Sequence, residues 1–404
     1  MSKIIILGGA GGIGQVATKT VLASNKFDEV VIADLNIDEL KRLEKELDNP
    51  TIRPMEINAN ESLTEVIKDF DLVVNCIGPF YKYGPKILKE AIEAKVTYVD
   101  VCDDLDATER QLKLSDLAKE NEVCAVIGLG NSPGLANLLA KYAADYLFDE
   151  IEVVDIMHIH GGESFEGHAV IKHRIHAMVN DVPVFDNGEF LSVRLLEESG
   201  SKYVEDCEFK DVGVYPVYPY PHPETITLPK VFPSLRRVTN RGVVFPLEYF
   251  QFTMETVRKG LSQASDLTDL DADIETWTNE ILSSRSSFLE SNRISSPKGC
   301  LKVVTKGQKN SKNYEYIFSV SSTSEGAGAG TGIPAGIGAI ILNQKEFRKF
   351  GVFPPEAIID PVQALSIASD IIPKMNVSVG NSKGTMPVNI VEIDPDGNVT
   401  EIEI

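Results

Sequence analysis

Long hydrophobic runs are missing from this chain: although 43% of its 404 residues are hydrophobic, no apolar stretch approaches the length that crosses a bilayer. A membrane partner is therefore not expected. Basic residues are also scarce, 39 Lys and Arg against 60 Asp and Glu, and the formal net charge of −21 opposes docking on a phosphate backbone, which draws on cations. Nucleic acid is excluded as an expected partner. Cysteine is thinly used: Cys76, Cys102, Cys124, Cys207 and Cys300 form an odd set without a CxxC pair, the pattern of reduced thiols in a cytoplasmic protein. The apolar opening, Met1 to Gly14, lacks a basic flank and a small-residue cleavage site, so it reads as strand and glycine turn rather than as an export signal.

What is present is enough chain for two domains, with room for a third segment. The first third alternates short Val/Ile runs with segments of helical period, which predicts an α/β fold with a Rossmann dinucleotide-binding domain over 1–132. Strands are expected at Lys3 to Leu7, Val30 to Ala33, Leu72 to Asn75, Val96 to Val101 and Val123 to Ile127. Asn36 with Glu39 suggests a capping box, Pro85 the first turn of a helix, and Thr108 the cap of another. From Ile151 the pattern changes to β-like alternation mixed with polar segments. A second, mixed α+β domain is expected over 133–330, and a C-terminal helix followed by a hairpin across Pro395, Asp396 and Gly397 over 331–404.

Gly9, Ala10, Gly11, Gly12, Ile13 and Gly14 spell GxGxxG between a predicted strand and a predicted helix. In that setting Gly9 permits the turn, Gly11 lets the backbone approach a pyrophosphate and Gly14 allows close helix packing, with Gly12 and Ile13 also cofactor-binding positions at the helix N-terminus that faces the phosphates. Asp34 lies twenty residues beyond Gly14 at the end of the second strand, where a carboxylate accepts ribose hydroxyls and repels a 2′-phosphate. Leu35 and Asn36 follow in place of an arginine, so NAD is preferred over NADP. Asn75, Gly78 and Pro79 in NCIGPF end a strand on the ligand-binding edge of the sheet, with Tyr81 placed to line the same pocket.

Five of six histidines, His158, His160, His168, His173 and His176, fall within nineteen residues. A two-by-two metal site is geometrically conceivable, but the spacing matches no metal motif and hydride transfer needs none, so no metal is expected and the histidines are read as lining a wet cleft. Arg174, Arg236, Arg237 and Arg241 offer forked donors for a substrate carboxylate, with Arg174 and Arg241 preferred; for each the competing reading is a salt bridge. The glycine-rich run Gly326 to Gly338 spells no second fingerprint and reads as a tight, flexible connection.

Taken in order, GGAGGIG, NCIGPFYKYG, YVDVCDD, GLGNSPGLANLLA, PHPETITLPKVFPSLRRVTNRG, GTGIPAGIGA and GVFPPEAIIDP resemble the saccharopine dehydrogenase-like family, most closely its lysine 6-dehydrogenase-type members. The resemblance implies a homodimeric NAD(P)-dependent oxidoreductase acting on the CH–NH bond of an amino acid of lysine or saccharopine type through an imine, with 133–330 as an α+β substrate and dimerisation domain and the C-terminal helix of 331–404 packing back on the Rossmann domain. YVDVCDD and the motif after the fourth strand depart from the saccharopine-forming pattern, which leaves the substrate open. His222 falls on a histidine of the lysine-type enzymes and becomes the implied acid/base; Asp100 and Asp103, at a strand end, are further candidates, Asp100 equally as a structural acceptor. Two other readings stay open: an opine-type or carboxyalkyl-amine reductase running in the condensing direction, and a cofactor-sensing protein without catalysis.

Overall fold

The runs at Lys3–Leu7, Glu29–Asp34 and Leu72–Asn75 have no alternating polar face to show to water. In the computed structural model each is a strand buried inside one parallel sheet, as continuous apolar strands require. The structure describes residues 2–163, 166–264, 270–322, 327–344, 349–375 and 388–402. The chain divides into two units, Met1–Lys141 with Gly328–Val377, and Tyr142–Ala327 with Ser378–Ile404.

Numbered in chain order, the strands of the first unit are β1 (Lys3–Leu7), β2 (Glu29–Asp34), β3 (Ile52–Glu56), β4 (Leu72–Asn75), β5 (Thr97–Asp100), β6 (Cys124–Val126) and, much later, β15 (Gly351–Phe353). They stand in the order β15-β6-β5-β4-β1-β2-β3, and every neighbouring pair is parallel. The chain winds outward from β1 to β3, returns to β4 and winds the other way, so the order reverses between β1 and β4. Their carboxyl ends open the crevice in which such sheets hold ligands.

Helices follow the expected pattern with informative exceptions. Asn36 caps Ile37–Leu47 by accepting the Glu39 N–H at 3.1 Å. The helix expected to start at Pro85 instead spans Phe80–Glu93 with Pro85 inside it; proline has no N–H for the Tyr81 carbonyl, and the Arg110 guanidinium donates to that carbonyl instead. Thr108 is not a cap but sits buried within Leu105–Leu112, whose N-cap residue is Asp104.

The late glycine run also differs from its expected form. Gly326 lies outside the described residues, and from Ala327 to Leu342 the run is helix, not a flexible connection. Its glycines are contact residues: a Cβ on Gly332 would lie 2.6 Å from the Ile13 carbonyl oxygen and one on Gly336 2.5 Å from the Thr20 Cβ. Glycine there lets this helix seat directly on Gly12–Ser24, the helix that follows the glycine turn.

The second unit is a mixed ten-stranded sheet. Its strands are β7 (Glu150–Gly161), β8 (Val182–Asp186), β9 (Glu189–Val193), β10 (Glu205–Phe209), β11 (Gly213–Pro219), β12 (Arg237–Phe245), β13 (Lys298–Lys309), β14 (Lys312–Ser322), β16 (Asn389–Ile393) and β17 (Val399–Ile402). The order is β10-β11-β12-β7-β13-β14-β16-β17, with the β8-β9 hairpin attached to β12. The central pair β12 and β7 is parallel and its outer neighbours are antiparallel. The terminal hairpin forms as expected through Ile402, and its last two residues lie outside the described residues. Helices His168–Val179, Leu247–Gln263 and Asp271–Ser291 share a core with the sheet that includes Ile159, Ile175, Phe250 and Trp277. None of the described helices is long and apolar enough to cross a membrane.

Candidate functional site

In the first unit, β1 runs into Gly8 and the glycine turn, and Gly11 is the N-cap of helix Gly12–Ser24 with no side chain closing the helix end. The N–H groups of Gly12, Ile13 and Gly14 therefore have no acceptor within the helix. The glycines do different work. A Cβ on Gly14 would lie 2.1 Å from the Gly8 carbonyl oxygen, so Gly14 is required by the turn itself. Among the described residues, nothing lies within 4 Å of a Cβ on Gly12, so none of them demands a glycine there.

Asp34, at the end of β2, completes this cradle. One carboxylate oxygen accepts the Ala10 N–H at 3.2 Å and the other the Asn36 N–H at 3.1 Å, which ties the side chain to the glycine turn. Turn, open helix end and carboxylate together fit a dinucleotide: pyrophosphate against Gly11–Gly14 and ribose against Asp34. Such a group, when bound, supplies or accepts a hydride at its nicotinamide.

At the ends of β4 and β5 the predicted residues sit differently from one another. Gly78, Pro79 and Tyr81 are partly exposed where β4 passes into the next helix. The Tyr81 N–H donates to Asp104 at 2.8 Å, a carboxylate that the sequence reading did not single out. Asn75 is fully buried, its amide donating to the Tyr98 hydroxyl at 2.9 Å and its oxygen accepting the Ile77 N–H at 3.0 Å. Asp100 is fully buried too. One oxygen accepts the N–H groups of Cys102 (3.0 Å) and Gly128 (2.8 Å), the other the Tyr98 hydroxyl (2.9 Å) and the Gln111 amide (2.5 Å). Of its two sequence readings, this is the arrangement of a structural acceptor. Burial raises its pKa above the usual carboxylate range, opposed by the four donors, those of the backbone first. Asp103, next along this loop, is partly exposed.

In the second unit side chains from distant segments converge. His158 on β7 lies across from Gly242 on β12, and a Cβ on Gly242 would come within 2.1 Å of the imidazole. His158 Nε2 shares a hydrogen bond of 3.1 Å with the Asn240 side-chain oxygen. The His222 ring stacks on His158 with centroids 5.1 Å apart, His173 packs on His222 at 6.0 Å, and Tyr220 meets the His222 ring edge-on at 4.9 Å. His222 thus comes to the side of His173 from a distant segment of the chain.

Of the five clustered histidines read as lining a wet cleft, His158 is instead only 6% exposed, and His222 is buried to the same extent. Burial, then the neighbouring imidazoles, depresses their proton affinity: His158 falls to about 3 and His222 well below its ordinary value, so both rings are neutral.

Arg174, on helix His168–Val179 beside His173, is 1% exposed and ion-pairs with Glu166. Glu166 also accepts from Tyr249 Oη at 3.0 Å and Arg285 Nε at 3.2 Å. Burial opposes its charge, yet Arg174 and Arg285 hold its carboxyl below the usual range. One guanidinium nitrogen of Arg174, Nη1, is buried without a hydrogen-bond acceptor among the described residues.

Arg241 does not join this group. Side chains alternate along β12, so Arg241 points to the sheet face opposite Asn240 and His158, where it pairs with Glu205 and lies 3.7 Å from Asp155. Of the two preferred arginines, only Arg174 shares the histidines' surroundings, since its charge reaches His160. Arg237 is tied to Asp155 at 3.0 Å.

Fold and cradle define the class: an α/β protein whose first unit is a Rossmann-type dinucleotide-binding domain. Residues 4–126 match the family described as "Saccharopine dehydrogenase NADP binding domain". The first unit thus resembles the cofactor domain of that family, and its cofactor is a nicotinamide dinucleotide. It is 24% identical to a protein named carboxyaminopropylagmatine dehydrogenase from Synechocystis sp., over 89% of this chain and 94% of that one. It is 26% identical to a carboxynorspermidine synthase from Vibrio cholerae, over 56% and 60% of the respective chains. Its fold is similar to that of saccharopine dehydrogenase (L-Glu forming) from Saccharomyces cerevisiae, with a TM-score of 0.64 at 14% identity, covering 92% of this chain and 97% of that one.

Proposed function

We propose that the protein is an NAD-preferring reductase that joins a primary amine to a carbonyl compound bearing a carboxylate, by reducing the imine they form. The observation that carries this reading is the buried Arg174, whose Nη1 lacks an acceptor among the described residues, in a unit that also holds a stack of neutral imidazoles. Arg174 suits a carboxylate, the imidazoles suit proton traffic, and the two relatives named above carry names of carboxylated amines. That support favours the condensing direction over oxidation of lysine.

Amine and carbonyl lose one water to give the imine; hydride and one proton then give the secondary amine. In this reading His222 relays the protons. A neutral, desolvated imidazole is a weak base by itself, and a substrate carboxylate brought beside it by Arg174 raises its proton affinity when substrate is present. Arg241, held by acids on the other sheet face, has no part in this step, and Asp103 is kept only as a further proton-carrying candidate. Asp34 favours NAD, because a 2′-phosphate would meet its charge with exposed Leu35 and Asn36 beside it and no cation at those two positions, even though the matching family is named for NADP. A homodimer is part of the same proposal.

The test is a reduced-cofactor assay with purified protein and a panel of amines paired with aldehydes or α-keto acids. Consumption of NADH only when both partners are present is the expected result, faster than with NADPH, and Asp34→Asn narrows that preference. Cofactor reduction by lysine alone would replace this reading with the lysine-oxidising one. Tight cofactor binding without turnover in either direction would point to the sensing protein.

A further inference from the structure

We infer that Asp100 is a positioning residue for the nicotinamide end of the cofactor, locking the ends of three adjacent strands into one wall. This goes beyond the proposed function and rests only on its nicotinamide cofactor. The ends of β4, β5 and β6 are joined through this carboxylate. The Tyr98 hydroxyl donates a hydrogen bond to Asp100 while accepting one from Asn75, so β4 is tied to β5. The Cys102 N–H fixes the loop leaving β5. Gly128 N–H on the side chain and Leu129 N–H on the Asp100 carbonyl, at 2.7 Å, fix the loop leaving β6.

That second loop is tightly determined beyond this point. Gly130 N–H donates to the Pro133 carbonyl at 2.9 Å, Gly134 N–H to the Asn137 side chain at 2.8 Å, and Asn137 in turn to the buried Glu356 at 2.8 Å. All three loops leave the carboxyl edge of the sheet on the β4 side of the switch point. A dinucleotide whose adenosine half lies on β1 and β2 must extend its other half past this edge. Among the described residues, none of the four hydrogen bonds to the Asp100 side chain involves Gly9–Gly14 or Asp34, so the carboxylate acts on one half of the cofactor without the other.

Asp100→Asn places an amide donor where two donors already point, whichever oxygen is replaced. Tyr98→Phe is the milder variant, keeping the ring and removing only the hydroxyl that joins Asn75 to Asp100. Affinities for NADH and for ADP-ribose, which lacks the nicotinamide, are measured on the full chain, together with the single-turnover rate of hydride transfer. The expected result is a loss of about tenfold or more in NADH affinity and in transfer rate for Asp100→Asn, the scale of a hydrogen bond to a charged group, with ADP-ribose affinity unchanged. Tyr98→Phe should show the same pattern more weakly, and it carries the test if Asp100→Asn does not fold.

Equal loss of both affinities would show a merely structural role and overturn the inference, as would no change in either. Failure of the unsubstituted protein to bind NADH or ADP-ribose would remove the cofactor reading, and this role with it.

Discussion

The two units build their sites from opposite materials. In the first, the cradle is mostly backbone: N–H groups at the start of Gly12–Ser24, a turn shaped by glycines, and one carboxylate tied back to that turn. In the second, the group is almost entirely side chain, with imidazoles from positions 158, 173 and 222 and a buried ion network from 166, 174 and 285. A backbone site depends on the absence of side chains and tolerates variety around it. A buried side-chain site depends on every partner being present, because each buried charge or polar atom left alone costs free energy.

The largest expected effect tests the second half of this comparison. Arg174→Met leaves Glu166 with Arg285 and Tyr249 but without its first partner, and breaking a buried pair in this way costs about 3–5 kcal/mol. Urea denaturation should show that loss, and the double variant Arg174→Met/Glu166→Gln should recover much of it. ADP-ribose affinity should stay as in the unsubstituted protein. A loss below about 1 kcal/mol, the range of a surface pair, would mean that the ion network is not what holds this unit together.

Gly14→Ala tests the first half and should come next. Its Cβ would need the space of the Gly8 carbonyl oxygen, 2.1 Å away, so the helix must move off the turn. A destabilisation of about 1–3 kcal/mol is expected from such overpacking. Calorimetric titration should show cofactor affinity lost with it, since the displaced helix no longer presents its N–H groups. Retained affinity would show that this helix start is not the phosphate site.

The same contrast explains what the sequence made legible. Cradle residues lie within a few positions of one another and between elements with clear periods, so Gly9 to Gly14, Asp34 and the parallel strands could be read directly. Two strands escaped because they are short or broken in pattern: Ile52–Glu56 contains Pro54 and alternates poorly, and Gly351–Phe353 has three residues and joins the sheet from the far end of the chain. The second unit resisted because its site is assembled by sheet pairing. Nothing local says that His222 stacks on His158, or that Arg241 turns away from both because it is next to Asn240 on a strand. The charged side chains of Glu166 and Arg285 carry no local sign that the fold leaves them only 9% and 7% exposed. Asp100 was legible as important but not as to its role, because its partners come from three other segments.

Acid should separate the units further. The unfolded chain offers His158 its ordinary pKa of 6.5, whereas burial in the folded state lowers it to about 3. Between those values the unfolded state binds the proton that the folded state refuses. This contribution is fully present above the unfolded pKa and is lost as pH falls towards the folded one. His222 shifts in the same direction. Each fully shifted histidine adds a slope of about 1.4 kcal/mol per pH unit. Urea midpoints measured from neutral to mildly acidic pH should fall accordingly, and His158→Gln should flatten the curve. A curve unchanged by that substitution would mean the imidazole is not held neutral by its surroundings.

The smallest effect is the most discriminating, because stability and binding should move in opposite directions. Gly12 opens the helix, so Gly12→Ala gains helix propensity, up to about 1 kcal/mol, and among the described residues its Cβ meets no atom within 4 Å. Thermal unfolding should therefore be unchanged or slightly raised. The new methyl group stands where the pyrophosphate would approach the backbone, so cofactor affinity should fall by about tenfold, the equivalent of roughly 1.4 kcal/mol. If stability rises and affinity does not change, the space in front of the helix is not where the phosphates lie. If both fall, Gly12 is a structural glycine like Gly14, and the division between glycines that serve the turn and glycines that serve the ligand is lost.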